Sequence, residues 1–259
     1  MKIDNQTFNL SGVGDAPPAL PGVSFVGTGP VVDAAQQIGV GITLDNPYPV
    51  LLSGKLTLIF ASTADAFNDD PAIAFASGGR TVNFTVPANS RNAVFGLSDN
   101  RIRLQTGTVA GAITLSATFS TDAGGINLTV SNAPATNILV RPSAPRIASV
   151  QLASRTASAM TVLITGYSPT RSVSTMAFTF TPFVDPNNKD LKLDTASLNL
   201  TVDGPFGVWY RSAASQTFGS LFTATVTFTV FGNVDAIQSL AVTIGNSLGT
   251  SNSSSVTLR

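Results

Sequence analysis

From Val23 onward the apolar residues recur at every second position in short runs, and no stretch holds a convincing 3.6-residue period for ten residues. Val23 and Phe25; Ile38, Val40, Ile42 and Leu44; Leu56, Leu58 and Phe60; Val82, Phe84 and Val86; Ile113, Leu115, Ala117 and Phe119 alternate with Thr, Ser, Gly or Asn. Successive side chains on a strand point to opposite faces, so each run reads as a half-buried β-strand. Turn formers separate the runs at Asp45-Asn46-Pro47, Ser77-Gly78-Gly79, Asp99-Asn100 and Asp122-Ala123-Gly124-Gly125. That rhythm predicts an all-β sandwich fold.

The grammar breaks at Arg141-Pro142-Ser143-Ala144-Pro145 and restarts with Ile147, Val150 and Leu152. At 259 residues the chain is long enough for two cores. A shift of 122 positions lays Ile38, Val40, Ile42, Thr43 and Pro47 on Met160, Val162, Ile164, Thr165 and Pro169, then Leu56-Thr57-Leu58 on Phe178-Thr179-Phe180. Val82-Asn83-Phe84-Thr85-Val86 falls on Leu198-Asn199-Leu200-Thr201-Val202 at a slightly shorter offset, as a loop-length difference produces. The expected organisation is an N-terminal arm and Pro-rich linker over 1–22, one sandwich over 23–142 and a second copy over 143–259.

Composition narrows the chemistry. All 14 acidic residues are Asp, and His and Cys are absent. General acid–base work near neutral pH relies mainly on His or on Glu, Asp, Lys or Tyr with a shifted pKa, so most of the catalytic repertoire is missing and no enzyme is expected. Without Cys there is no disulfide framework and no thiolate metal site. A net charge of +0 gives no field for nucleic acid or anionic lipid. Mean hydropathy is +0.28, yet no window reaches the roughly 18 unbroken apolar residues of a membrane span, so the apolar content is core. Met1-Lys2-Ile3-Asp4 leads into polar residues, and no secretory signal is expected in this stretch.

Four places stand out as candidate sites. The loop Asp65-Ala66-Phe67-Asn68-Asp69-Asp70 offers Asp65, Asn68, Asp69 and Asp70 as calcium ligands; its counterpart Asp185–Asp190 carries Lys189, which opposes a cation. For both loops the competing reading is a turn whose Asp and Asn bond their own backbone. The aromatics Phe206, Trp209, Tyr210 and Phe218 suggest a sugar-stacking surface. If that segment is a strand, Trp209 lies in the core and Tyr210 outside, with Tyr210 and Phe206 as carbohydrate contacts. In the arm, Ile3, Thr7, Phe8 and Leu10 sit ahead of a proline tether, placed to add a strand to a neighbouring copy and so build a filament. No other cofactor is implied.

The strings Ile164-Thr165-Gly166-Tyr167-Ser168-Pro169-Thr170-Arg171-Ser172-Val173, Trp209-Tyr210-Arg211-Ser212 with Phe218-Gly219-Ser220, and Leu104-Gln105-Thr106-Gly107-Thr108-Val109-Ala110-Gly111 resemble paired Ig-like modules in large secreted or surface-attached proteins of environmental bacteria. The resemblance covers most of residues 23–259 and carries over no catalytic residue. It implies two tandem Ig-like β-sandwich domains and an extracellular or cell-surface location. It also implies a non-catalytic character, and taken with the composition and strand pattern the expected role is structural or adhesive, with self-association or other surface proteins as partners. The alternative is a carbohydrate-binding module in the second half, with polysaccharide as partner.

Overall fold

The alternation of the Gly111–Thr121 run becomes a strict in-and-out pattern in the computed structural model, with Ile113, Leu115, Ala117 and Phe119 buried between two sheets. Residues 2–3, 6–7, 16–64, 69–129, 132–184 and 194–258 are described. In the first sandwich, one sheet orders Val94–Phe95, Thr81–Val86, Leu52–Ser62, Gly111–Thr121, Ala135–Val140 and Val31–Val32. The facing sheet orders Val23–Val26, Gln37–Tyr48, Ile102–Thr106 and Ile73–Phe75, with Ser90–Asn92 also pairing to Gln37–Tyr48.

The second sandwich sets Arg146–Arg155, Ala159–Tyr167 and Leu221–Thr229 against a sheet ordered Ala196–Thr201, Thr175–Pro182, Ile237–Asn246 and Gly249–Thr250. Ser254–Thr257 also pairs with Ile237–Asn246. In both sandwiches the first, second and fifth main strands make one sheet, and the third, fourth, sixth and seventh make the other. This is a seven-strand Ig-like arrangement built twice. The internal repeat survives at the level of register: Leu56 stands opposite Val82 and Ala117, and its counterpart Phe178 stands opposite Leu198 and Val242.

Two buried clusters form, one drawing on residues from Ala34 to Val140 and the other on residues from Val150 to Leu258. Tyr167, half-buried, packs against the first cluster from the opening strands of the second sandwich. Among the described residues no helix is long and apolar enough to cross a membrane.

One element departs from the sequence expectation. Asp203–Arg211 is an α-helix, followed by a short 3-10 turn over Ala214–Phe218, so the extended conformation on which the placement of Trp209 and Tyr210 depends does not occur. Pro205 lies in the first helical turn, where its missing N–H costs nothing, and Asp203 and Arg211 complement the helix dipole at the two ends. The four-residue spacing of Phe206 and Tyr210 then puts both on one face, and both are buried. The expected placement is reversed: Tyr210 is in the core and Trp209 is half-buried, because the segment turns every 3.6 residues instead of every two.

Candidate functional site

The polar groups that the sandwiches bury most deeply gather where the two meet. Asp70 is 1% exposed, and its carboxylate is filled by four donors. Oδ2 accepts from the N–H groups of Thr108 at 2.5 Å and Val109 at 2.9 Å and from Thr108 Oγ1 at 3.0 Å, while Oδ1 accepts from Ala72 N–H at 2.9 Å. A backbone nest of this kind satisfies a buried carboxylate without a counter-ion. Gly107, at φ +68°, turns the chain here, and a Cβ on it would stand 2.6 Å from Asp70 Oδ2.

The second sandwich plugs into this loop. Ser220 N–H donates to Thr108 Oγ1 at 3.0 Å, and Ser220 Oγ donates to the Thr108 carbonyl at 2.6 Å. Ala110 N–H donates to the Pro169 carbonyl at 2.8 Å. Gly219 sits over the carboxylate at φ +59°; a Cβ there would lie 2.7 Å from both Asp70 Oδ1 and Thr108 Oγ1. Only glycine combines that backbone region with so close an approach.

Beneath Gly219 lies Arg171, 2% exposed and itself at φ +55°. Its Nη1 donates to the Gly219 carbonyl, and Nη2 donates to the Tyr210 carbonyl at 2.5 Å and to Ser215 Oγ at 2.9 Å. The guanidinium stacks 5.0 Å from the Tyr210 ring centroid. Nε has no partner among the described residues. Burial lowers the Arg171 pKa, and Tyr210 and Asp70 pull it back up. The Tyr210 phenol donates to the Ser220 carbonyl at 2.9 Å; burial raises its pKa well above the ordinary value, against the opposing pull of Arg171.

The arrangement runs from a carboxylate of one sandwich through Thr108, Ser220 and Gly219 to a guanidinium of the other. Apart from Arg171 Nε, the donors and acceptors named here are spent on each other, and both Asp70 and Arg171 are shut away from solvent. It is chemically suited to holding two bodies in one orientation and not to binding a soluble reactant.

The sequence candidates fare differently. Asp65 and Asn68 lie outside the described residues, as do Phe8, Leu10 and Asp185–Asp190. Asp69 is exposed and pairs with Arg80 at 2.5 Å. Asp70 is removed from the calcium set, because its oxygens are occupied by backbone donors. Phe206 and Tyr210 are buried and cannot stack on a sugar; Phe206 packs edge-on against Phe222 with centroids 4.9 Å apart. Ile3 and Thr7 belong to two-residue strands, Lys2–Ile3 paired with Gln6–Thr7. A cavity of about 670 Å³ lies over Ser53, Lys55, Asn83, Thr85 and Thr118 and gathers one charged side chain, Lys55.

Sequence reasoning about chemistry missed Arg171, Gly219, Thr108 and Ser220. Yet the three strings that carry the family resemblance hold all four of them, and the structure brings those strings together at the junction. The signal was present as a likeness and not as a motif with known chemistry.

The molecule is thus an all-β protein of tandem Ig-like sandwiches joined by a buried polar contact. No family model matches the sequence, and no curated protein matches it. Among solved structures it is similar to a two-domain fibronectin type III segment from chicken tenascin, at 9% identity over 93% of this chain and 99% of that one, TM-score 0.32. It is also similar to the FN1–FN3 domains of chicken CNTN1, at 10% identity over 95% of this chain and 69% of that one, TM-score 0.27. For red sea bream transglutaminase the identity is 13%, TM-score 0.27; 91% of this chain is covered, spanning 31% of the enzyme.

Proposed function

We propose that the chain is a non-enzymatic, extracellular structural or adhesive module of a bacterial surface, in which two sandwiches act as a single stiff element. The observation that carries this reading is the junction, where hydrogen bonds joining Thr108 to Ser220 and Ala110 to Pro169, with Gly219 packed close over Asp70, leave the connecting segment 141–145 little to do as a hinge. An interface held by buried charges and close-packed glycines is geometrically exact, which suits spacing or presenting something at a fixed distance.

Two further features support it. The chain has no His, Cys or Glu from which to assemble a hydrolytic or redox centre. In the first sandwich, Val31–Val32 near its start runs parallel to Ala135–Val140 at its end, tied by Leu139 N–H to the Pro30 carbonyl at 2.9 Å and Arg141 N–H to the Val32 carbonyl at 3.0 Å. Tension between the ends loads those bonds side by side in shear.

Sugar binding through Tyr210 and Phe206 is not carried forward, because both side chains are buried. Location is tested by labelling intact and permeabilised cells of the source organism with antibody to the chain. Signal on intact cells supports the reading, and signal only after permeabilisation overturns it.

A further inference from the structure

Most sheet edges of the first sandwich are blunted. Its edge strands are Val94–Phe95, Val31–Val32, Val23–Val26 and Ile73–Phe75, none longer than four residues. Short edges are a common defence against unwanted strand pairing. The second sandwich has two long edges on its three-stranded sheet. Arg146–Arg155 is interrupted by two register shifts and ends in arginines. Leu221–Thr229 is nine residues long, pairs with Ala159–Tyr167 without a bulge, and contains no charge and no proline.

The phase of this edge can be read from its ends. Ser168 N–H bonds the Ser220 carbonyl and Val230 N–H bonds the Ser158 carbonyl, so the even-numbered residues bond inward to Ala159–Tyr167. The odd-numbered residues direct N–H and C=O outward. Thr223, Thr225, Thr227 and Thr229 are exposed, and among the described residues the bond made to this outer row is Trp209 Nε1–H to the Leu221 carbonyl at 3.1 Å.

The sequence of this strand is nearly the same read in either direction about Thr225. Thr223 mirrors Thr227, Phe222 mirrors Phe228, and Ala224 mirrors Val226. We infer that Thr223–Thr227, the stretch of this edge beyond the Trp209 contact at Leu221, pairs antiparallel with the same stretch of a second copy, about a twofold axis at Thr225, making one continuous six-stranded sheet.

Three points favour a second copy over an unrelated partner. A strand that is its own mirror is self-complementary under a twofold, which is what an isologous contact requires. An axis at Thr225 is a register in which outward N–H groups meet outward carbonyls, because odd residues then face odd residues, and it is the one that lays Thr223 on Thr227. An uncharged edge carries no like-charge cost when it meets itself. The outer face continues a threonine ladder already present within one copy, where Thr161 and Thr227 hydroxyls lie 3.0 Å apart. The same register brings Phe231 of the second copy, 98% exposed in isolation, level with Gly219. A groove of about 630 Å³ lined by Trp209, Phe218, Leu221 and Phe222 lies beside that end of the strand.

The test uses the full chain and its freedom from cysteine. Sedimentation equilibrium across a concentration series is expected to give twice the 26.6 kDa chain mass, and Thr225→Lys, which sets two lysines face to face on the axis, is expected to return the monomer. Thr225 is exposed, so the variant should fold; circular dichroism checks that it does. Register is read by oxidation. Thr225→Cys alone is expected to form a disulfide-linked dimer, since residues facing across such a pair have Cα atoms about 5.5 Å apart. Thr223→Cys alone is expected to form none, and Thr223→Cys with Thr227→Cys is expected to cross-link. A monomer at every concentration overturns the inference. So does a dimer indifferent to Thr225→Lys, or equal cross-linking at Thr223 and Thr225.

Discussion

Arg171 concentrates several costs at one position: a left-handed backbone on a non-glycine residue, a desolvated guanidinium and an unpartnered Nε. Such strain persists where the surroundings over-determine it, and here they do so through Gly219, Tyr210 and Ser215. Arg171→Ala removes the donor of the buried Gly219 carbonyl and one of the two donors of the Tyr210 carbonyl, which keeps Ser215 Oγ, and it empties the space the guanidinium fills. We expect it to lower unfolding free energy by about 3–5 kcal/mol, measured by urea titration. A loss under about 1 kcal/mol would mean that water replaces the guanidinium without penalty. Tyr210 gives a pH prediction. Burial raises its phenol above the free value of about 10, so the folded chain holds the neutral form. Its contribution is then level below about pH 9 and lost as pH climbs through 10 and beyond. Melting temperature should fall over that alkaline range, and Tyr210→Phe should flatten the fall in part, leaving the share of Tyr48, which burial also raises.

At the scale of elements, glycine placement decides how closely the sandwiches approach. Gly219→Ala puts a methyl 2.7 Å from Asp70 Oδ1 at a backbone angle that side chains resist. We expect a loss of about 2–3 kcal/mol in the full chain; the same substitution at Gly78, also at positive φ but with nothing within 4 Å, should cost only the backbone part, about 1 kcal/mol. Denaturant midpoints of the two variants separate these terms, and equal losses would show that the junction does not feel the methyl. Strands were legible because period-2 alternation is a local property: the run Ile113–Phe119 states its own buried face. The repeat was legible for the same reason, down to the matching of Leu56 with Phe178. The helix Asp203–Arg211 was not legible, since Asp203-Gly204-Pro205 reads as a turn and nine residues offer too few periods to outweigh that. Nor was the junction. Asp70 looks like any loop aspartate until residues 38 positions away supply its donors, and nothing local in Gly219 announces that it will lie over a carboxylate from the other sandwich.

For the molecule as a whole, the account joins two self-sufficient cores through a contact that neither could make alone. Each core is large enough to melt by itself, so independence would appear as two heat-absorption peaks. The buried junction couples them, and scanning calorimetry of the full chain should show one transition whose calorimetric and van't Hoff enthalpies agree; Arg171→Ala should split it. The most direct test is hydrogen exchange at the Ala110 amide, whose acceptor is the Pro169 carbonyl in the other sandwich. If the two bodies are held as one, Ala110 exchanges only on global unfolding, with the same protection as Ile113 and Leu115 in the adjoining strand. Exchange at Ala110 faster by orders of magnitude than at those two would mean that the sandwiches part while each stays folded, and the stiff-element reading would fail.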